Sequence, residues 1–98
     1  MSQLFLLEFN IKDQAGVDTF MEYMNQSRQR MAADGLEELS SYVDQDDPLH
    51  VISMIQWVSR EHHNVAMQKE FANPESAEVL AAIGADRPLR ETWLDAAE

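Results

Sequence analysis

The chain has 98 residues, no cysteine, and 18 acidic against 7 basic residues, which gives a formal net charge of −11. That balance argues against nucleic acid and anionic membrane surfaces as partners, because both are bound through a basic footprint. The length fits one domain over residues 1–98, without disulfides or thiolate metal sites to reinforce a modest core, and such domains often gain stability by self-association.

Residues 4–11 (LFLLEFNI) read as a strand with both faces at least partly covered. Residues 12–16 form the turn after it. From Val17 the period becomes helical: Val17, Phe20, Met21, Met24, Arg28 and Met31 share one stripe, and Gly35 stops the helix near Ala33 or Asp34. Residues 39–45 read as a second strand, with Leu39, Ser41 and Val43 on one side and Ser40 and Tyr42 on the other. Asp46-Asp47-Pro48 makes a turn. Residues 50–58 (HVISMIQWV) are the strongest strand pattern in the chain and should be central.

Ser59 is placed as the N-cap of a helix that runs to about Phe71, where Asn73-Pro74 ends it. Residues 74–83 form a short further helix, with Val79, Leu80 and Ile83 inward and Gly84 as its stop. Residues 88–94 (PLRETWL) form a last strand with Pro88 at its edge. The order is β-α-β-β-α-β, an α+β ferredoxin-like arrangement of four antiparallel strands with helices on one face. Apolar residues lie on both faces of the first and third strands, so the other face also needs a cover. A second copy is the economical one, giving a homodimer that closes as a dimeric α/β barrel. No apolar run approaches the roughly 18 residues of a membrane span. The start Met1-Ser2-Gln3-Leu4 lacks the marks of a signal peptide, so a cytoplasmic location is expected.

Gly35-Leu36, Tyr42-Val43 before Asp46-Asp47-Pro48, and Ile52 to Trp57 (ISMIQW) together give a pattern that resembles the antibiotic biosynthesis monooxygenase family of dimeric α/β barrels. Asn10 also sits where many members have a polar residue. Members often carry helix histidines at places that hold Ala66 and Phe71 here; the helix histidines of this chain fall at His62 and His63 instead. The resemblance implies cofactor-independent oxygenation, by molecular oxygen, of an electron-rich aromatic such as a hydroquinone or anthrone.

Each candidate residue has a chemical and a structural reading. Asn10 can hold a substrate oxygen or end its strand. Trp57 can wall an apolar pocket and offer one N–H, or pack in the core. His62 and His63 point about 100° apart on their helix, a poor spacing for a shared metal. His63 shares the apolar stripe of Met67 and Phe71, so it faces inward, as a base for a phenolic proton or as a structural histidine. His50, at the start of its strand, is expected to be exposed. Met24, Tyr42, Met67 and Phe71 are the expected pocket lining. The chain has no P-loop and no GxGxxG, so no nucleotide, flavin or nicotinamide cofactor is expected. Two other functions fit the residues: a non-catalytic dimeric barrel binding a small apolar ligand or a partner, and haem binding and breakdown, for which only Asn10 and Trp57 speak.

Overall fold

The computed structural model describes residues 2–84 and 88–95. Strand β1 (Gln3–Asn10) leads into helix α1 (Gln14–Met31), a 3-10 turn (Ala32–Asp34), strands β2 (Leu36–Asp44) and β3 (Asp47–Trp57), helices α2 (Arg60–Phe71) and α3 (Pro74–Ile83), and strand β4 (Arg90–Leu94). The four strands form one antiparallel sheet in the order β2-β3-β1-β4, so β3 is central as expected. This is the α+β ferredoxin-like fold, with the β-α-β-β-α-β series carrying an additional helix before the last strand. No helix among the described residues is long and apolar enough to cross a membrane.

The caps explain where the helices start. Ser59 and Asn73 accept hydrogen bonds from the backbone N–H groups of His62 and Glu75, which satisfies free donors of the first turns. Helix α1 begins earlier than its apolar stripe. The Asp13 carboxylate accepts from the Gly16 N–H at 2.8 Å, so Gln14 to Gly16 form a helical turn and not a loop. Gly16 is needed for contact: a Cβ there would lie 2.7 Å from the Ile11 side chain and 2.9 Å from the Ala82 carbonyl oxygen. The β2–β3 hairpin turns on Gln45 and Asp46, one residue earlier than expected, and Pro48 lies inside the start of β3.

Register sorts the side chains. Phe5, Leu7 and Phe9 of β1 stand beside Ile55, Ser53 and Val51 of β3. These residues, with Leu39 of β2 and Trp93 of β4, share the face on which the helices pack. The opposite face carries Leu4, Leu6, Ile52, Met54 and Leu94, with Tyr42 at its edge, and no described element covers it. On that face His50 is partly shielded, not freely exposed: its two ring nitrogens lie 3.0 Å from carboxylate oxygens of Asp44 and Glu8. A carboxylate only accepts, so this double contact suits an imidazolium that donates from both nitrogens. The two partners hold the His50 pKa above its ordinary value, Asp44 contributing first.

Gly35 closes the 3-10 turn with φ of 103°, in the left-handed region. A Cβ at this position would also lie 2.9 Å from the His62 side chain. Gly35→Ala should therefore lower folding stability by about 1–2 kcal/mol, read as a shift in denaturation midpoint at constant slope. An unshifted midpoint would mean that the turn relaxes without strain.

Candidate functional site

Between the helices and the covered face of the sheet lies a cavity of about 620 Å³. Its walls are mostly apolar: Phe5 and Ile55 from the sheet, Phe20 and Met24 from α1, Met67 from α2, Val79 and Leu80 from α3. Phe71 sits at the rim, 70 % exposed. This size and lining suit a flat apolar ligand held by a few polar groups. Polar side chains interrupt the walls, Gln68, Ser76 and Glu91 singly and the others in two groups.

The first lies where β3 hands over to α2. Trp57 is 1 % exposed, and its indole Nε1–H is the buried side-chain polar atom without a hydrogen-bond partner among the described residues. Leaving a buried donor unpaired costs about 1–3 kcal/mol. His63, about one turn into α2, stands beside it. Its ring lies 5.2 Å from Trp57, 4.9 Å from Phe5 and 5.0 Å from Trp93, centroid to centroid. This half-buried aromatic box disfavours the charged imidazolium and pulls the His63 pKa below its ordinary value, against the opposing hydrogen bond to Asn64. The Asn64 side-chain oxygen lies 3.1 Å from Nδ1. With the proton on Nδ1 donated to that oxygen, Nε2 is left as a free acceptor.

The second group ties α1 to α2. Glu70 is 8 % exposed, and its Oε1 accepts from the Tyr23 hydroxyl and from the Arg30 guanidinium, the latter at 2.7 Å. Arg30 also donates to Ser27 Oγ at 3.1 Å. Burial, then the hydrogen bond to Glu70, push the Tyr23 pKa up to about 12, so its hydroxyl keeps its proton and remains a donor. Tyr23, Ser27 and Glu70 all line the cavity. Sequence reasoning missed this group. Its one local signal is that Glu70 falls on the stripe of His63, Ala66 and Met67.

Of the residues singled out in the sequence, Trp57, His63, Met24, Met67 and Phe71 come together around the cavity. Two do not. Asn10 is exposed, pairs with His50, and lies on the uncovered side of the sheet, away from Trp57 and His63. Tyr42 is 56 % exposed on that same side. The cause is strand alternation: the even-numbered positions of β1 and β3, and those of β2 beyond its bulge at Leu36/Glu38, face away from the helices. His62 points outward and meets the Ser59 hydroxyl through Nδ1 at 2.7 Å. The place where a helix histidine was expected by resemblance holds Ala66, which is buried on the α2 face one turn beyond His63.

No family model and no curated protein matches the sequence. Solved structures do share its fold over nearly the whole chain, and several bear the name antibiotic biosynthesis monooxygenase. A Bordetella bronchiseptica protein so assigned aligns over 99 % of this chain and 98 % of its own, with a TM-score of 0.73 at 13 % identity. SnoaB, a cofactor-independent oxygenase from Streptomyces nogalater, aligns over 99 % and 94 %, with a TM-score of 0.70 at 13 % identity. A Chloroflexus aurantiacus protein assigned to the same monooxygenases aligns over 100 % and 95 %, with a TM-score of 0.71 at 11 % identity. At these identities the likeness is one of fold.

The two environments predict opposite titrations. In an NMR-detected titration His63 should lose its proton below the ordinary histidine value of 6.5, and His50 above it. The linkage signs differ accordingly. As pH falls from above 6.5 through the lowered His63 pKa, the unfolded chain takes the proton first and stability drops. His50 contributes stability that is complete below about 6.5 and is lost as pH rises through its raised pKa. A His63 that titrates at or above 6.5 would contradict the desolvated box.

Proposed function

We propose that this chain, as a single domain, is a cofactor-independent monooxygenase that oxidises an electron-rich aromatic, a hydroquinone or anthrone, with molecular oxygen. The observation that carries this reading is the unpaired Trp57 indole N–H, buried in the wall of an apolar cavity beside a desolvated histidine. A donor with no protein acceptor invites a ligand oxygen, and a neutral imidazole next to it is ready to take a proton. The shared fold with SnoaB and with proteins named as antibiotic biosynthesis monooxygenases supports the same reading.

The chemistry follows from these positions. His63 Nε2 takes a phenolic proton, and the apolar walls raise the energy of the phenolate that results. The phenolate ring carbon gives one electron to dioxygen, and the radical pair joins as a C–O bond. The peroxide takes the proton back from His63. Loss of the ring-carbon hydrogen together with hydroxide, as water, leaves the new C=O. One dioxygen is thus divided between a quinone oxygen and water. Trp57 Nε1–H stabilises the negative charge that builds on oxygen during these steps.

The proposed assembly is a homodimer closed over the uncovered sheet face. Leu4, Leu6, Ile52 and Met54 on the two central strands form an apolar strip there, and antiparallel sheets of this kind bury such a face against a second layer.

Oxygen uptake with hydroquinones and anthrones, corrected for autoxidation, tests the reaction. His63→Ala should lower kcat by about 100-fold or more, and Trp57→Phe by at least about tenfold, with both variants folded. Uptake at the autoxidation rate throughout the panel, with the same ligands still bound, would favour a non-catalytic binding module. Light scattering should give twice the chain mass, and Leu6→Asp, which puts a charge on the strip, should give a monomer. A monomeric parent chain would overturn the assembly.

A further inference from the structure

The Tyr23–Glu70–Arg30 group has an asymmetry that a plain tie between two helices does not need. Both donors converge on Glu70 Oε1, while Oε2 makes no hydrogen bond among the described residues; the side chain is 10 % exposed and lines the cavity, and Oε2 keeps some accessible surface. A carboxylate oxygen that stays accessible in a largely apolar cavity is a strong acceptor for a ligand donor. The two donors fix the other oxygen in place. Arg30 in turn is held by Ser27, and Tyr23 remains protonated over the physiological range. The free acceptor is therefore preorganised, which is how a site gains selectivity without losing affinity to reordering.

We propose that Glu70 Oε2 is a subsite for a hydroxyl donor on the aromatic substrate, at the end of the cavity away from Trp57, so that the chain selects ring systems carrying a free hydroxyl there. This inference rests on the reading of the cavity as an aromatic-ligand site. His63 and Glu70 are seven residues apart on α2, so the two polar ends lie about 10 Å apart along the helix axis. A fused-ring ligand spans that distance, with a carbonyl or phenolic oxygen at the Trp57 end and a hydroxyl hydrogen directed at Glu70. A methyl ether at the second position offers no hydrogen and leaves the carboxylate unmatched.

Three probes separate the ring from the hydroxyl: anthraquinone, 2-hydroxyanthraquinone and 2-methoxyanthraquinone. Their binding is followed by quenching of tryptophan fluorescence at pH 6, where the phenol keeps its proton. The wild-type chain should bind the hydroxy compound at least about tenfold more tightly than the methoxy compound. In Glu70→Gln the side-chain oxygen still faces Tyr23 and Arg30, so an amide N–H₂ takes the place of the free acceptor. The hydroxyl preference should then fall to about onefold or invert, with anthraquinone affinity unchanged. Equal wild-type affinities for the hydroxy and methoxy compounds, or a preference that survives in Glu70→Gln, would overturn the subsite and leave the aromatic-site reading standing. The absence of quenching by all three in the wild-type chain would overturn that reading and the subsite together. The wild-type ratio decides the matter even if the variant fails to fold.

Discussion

The pairing register between β1 and β3 is the constraint on which the rest of the structure depends. Phe5 beside Ile55, Leu7 beside Ser53 and Phe9 beside Val51 put one set of side chains under the helices, and the intervening residues on the other side. A slip of one residue would exchange the two sets, because side chains alternate with period two. With β1 slipped, Glu8 and Asn10 would turn toward the helices in place of Phe5, Leu7 and Phe9. The neighbouring β2–β3 register is reinforced under the helices by the Ser41–Ser53 hydroxyl pair, 2.8 Å apart, of which Ser53 is fully buried. These two hydroxyls satisfy each other and thereby tie β2 to β3 without leaving a polar group unpaired in an apolar layer.

Space for a ligand requires that α1 and α2 not collapse onto the sheet. Two contacts set their position. Gly16 lets α1 approach α3 closely at one end. The bonds from Tyr23 and Arg30 to Glu70, with the Lys69–Asp34 pair at 2.8 Å, join α2 to α1 and to the 3-10 turn after it. The stacked Phe5 and Trp93 rings, 4.6 Å between centroids, form a firm floor on the sheet side. Wall and floor are thus both fixed by directional contacts, and the volume between them is retained in a chain of only 98 residues.

Much of the fold was legible because its signals are local. Ser59, Asn73-Pro74, Gly35 and Gly84 mark element ends through hydrogen bonds or dihedral angles that span a few residues. Residues 50–58 have no breaker and a pure strand pattern. Trp57 and His63 were legible too, from the end of a strand and the apolar stripe of a helix. Asn10 and Tyr42 were misplaced for a physical reason. With apolar residues on both sides of β1 and β3, alternation separates two sets but does not say which set the helices cover. The Tyr23–Glu70–Arg30 group joins residues 40 and 47 positions apart, and no periodicity within one element announces such a meeting. The flanking of His50 by Glu8, 42 positions away, likewise becomes visible only once the strands are in register.

Helix α2 carries both polar ends of the cavity, with His63 near its start and Glu70 near its end. An unbroken helix does not stretch, so the interval between these groups is a rigid gauge, insensitive to breathing of the loops around it. It can be reset only in whole turns of about 5 Å, by moving the carboxylate to another inward position such as that of Ala66 or Met67. Intermediate positions would carry it off the inward stripe. The spacing of the imidazole and the carboxylate can therefore change along this helix by jumps, while gradual drift is closed to it.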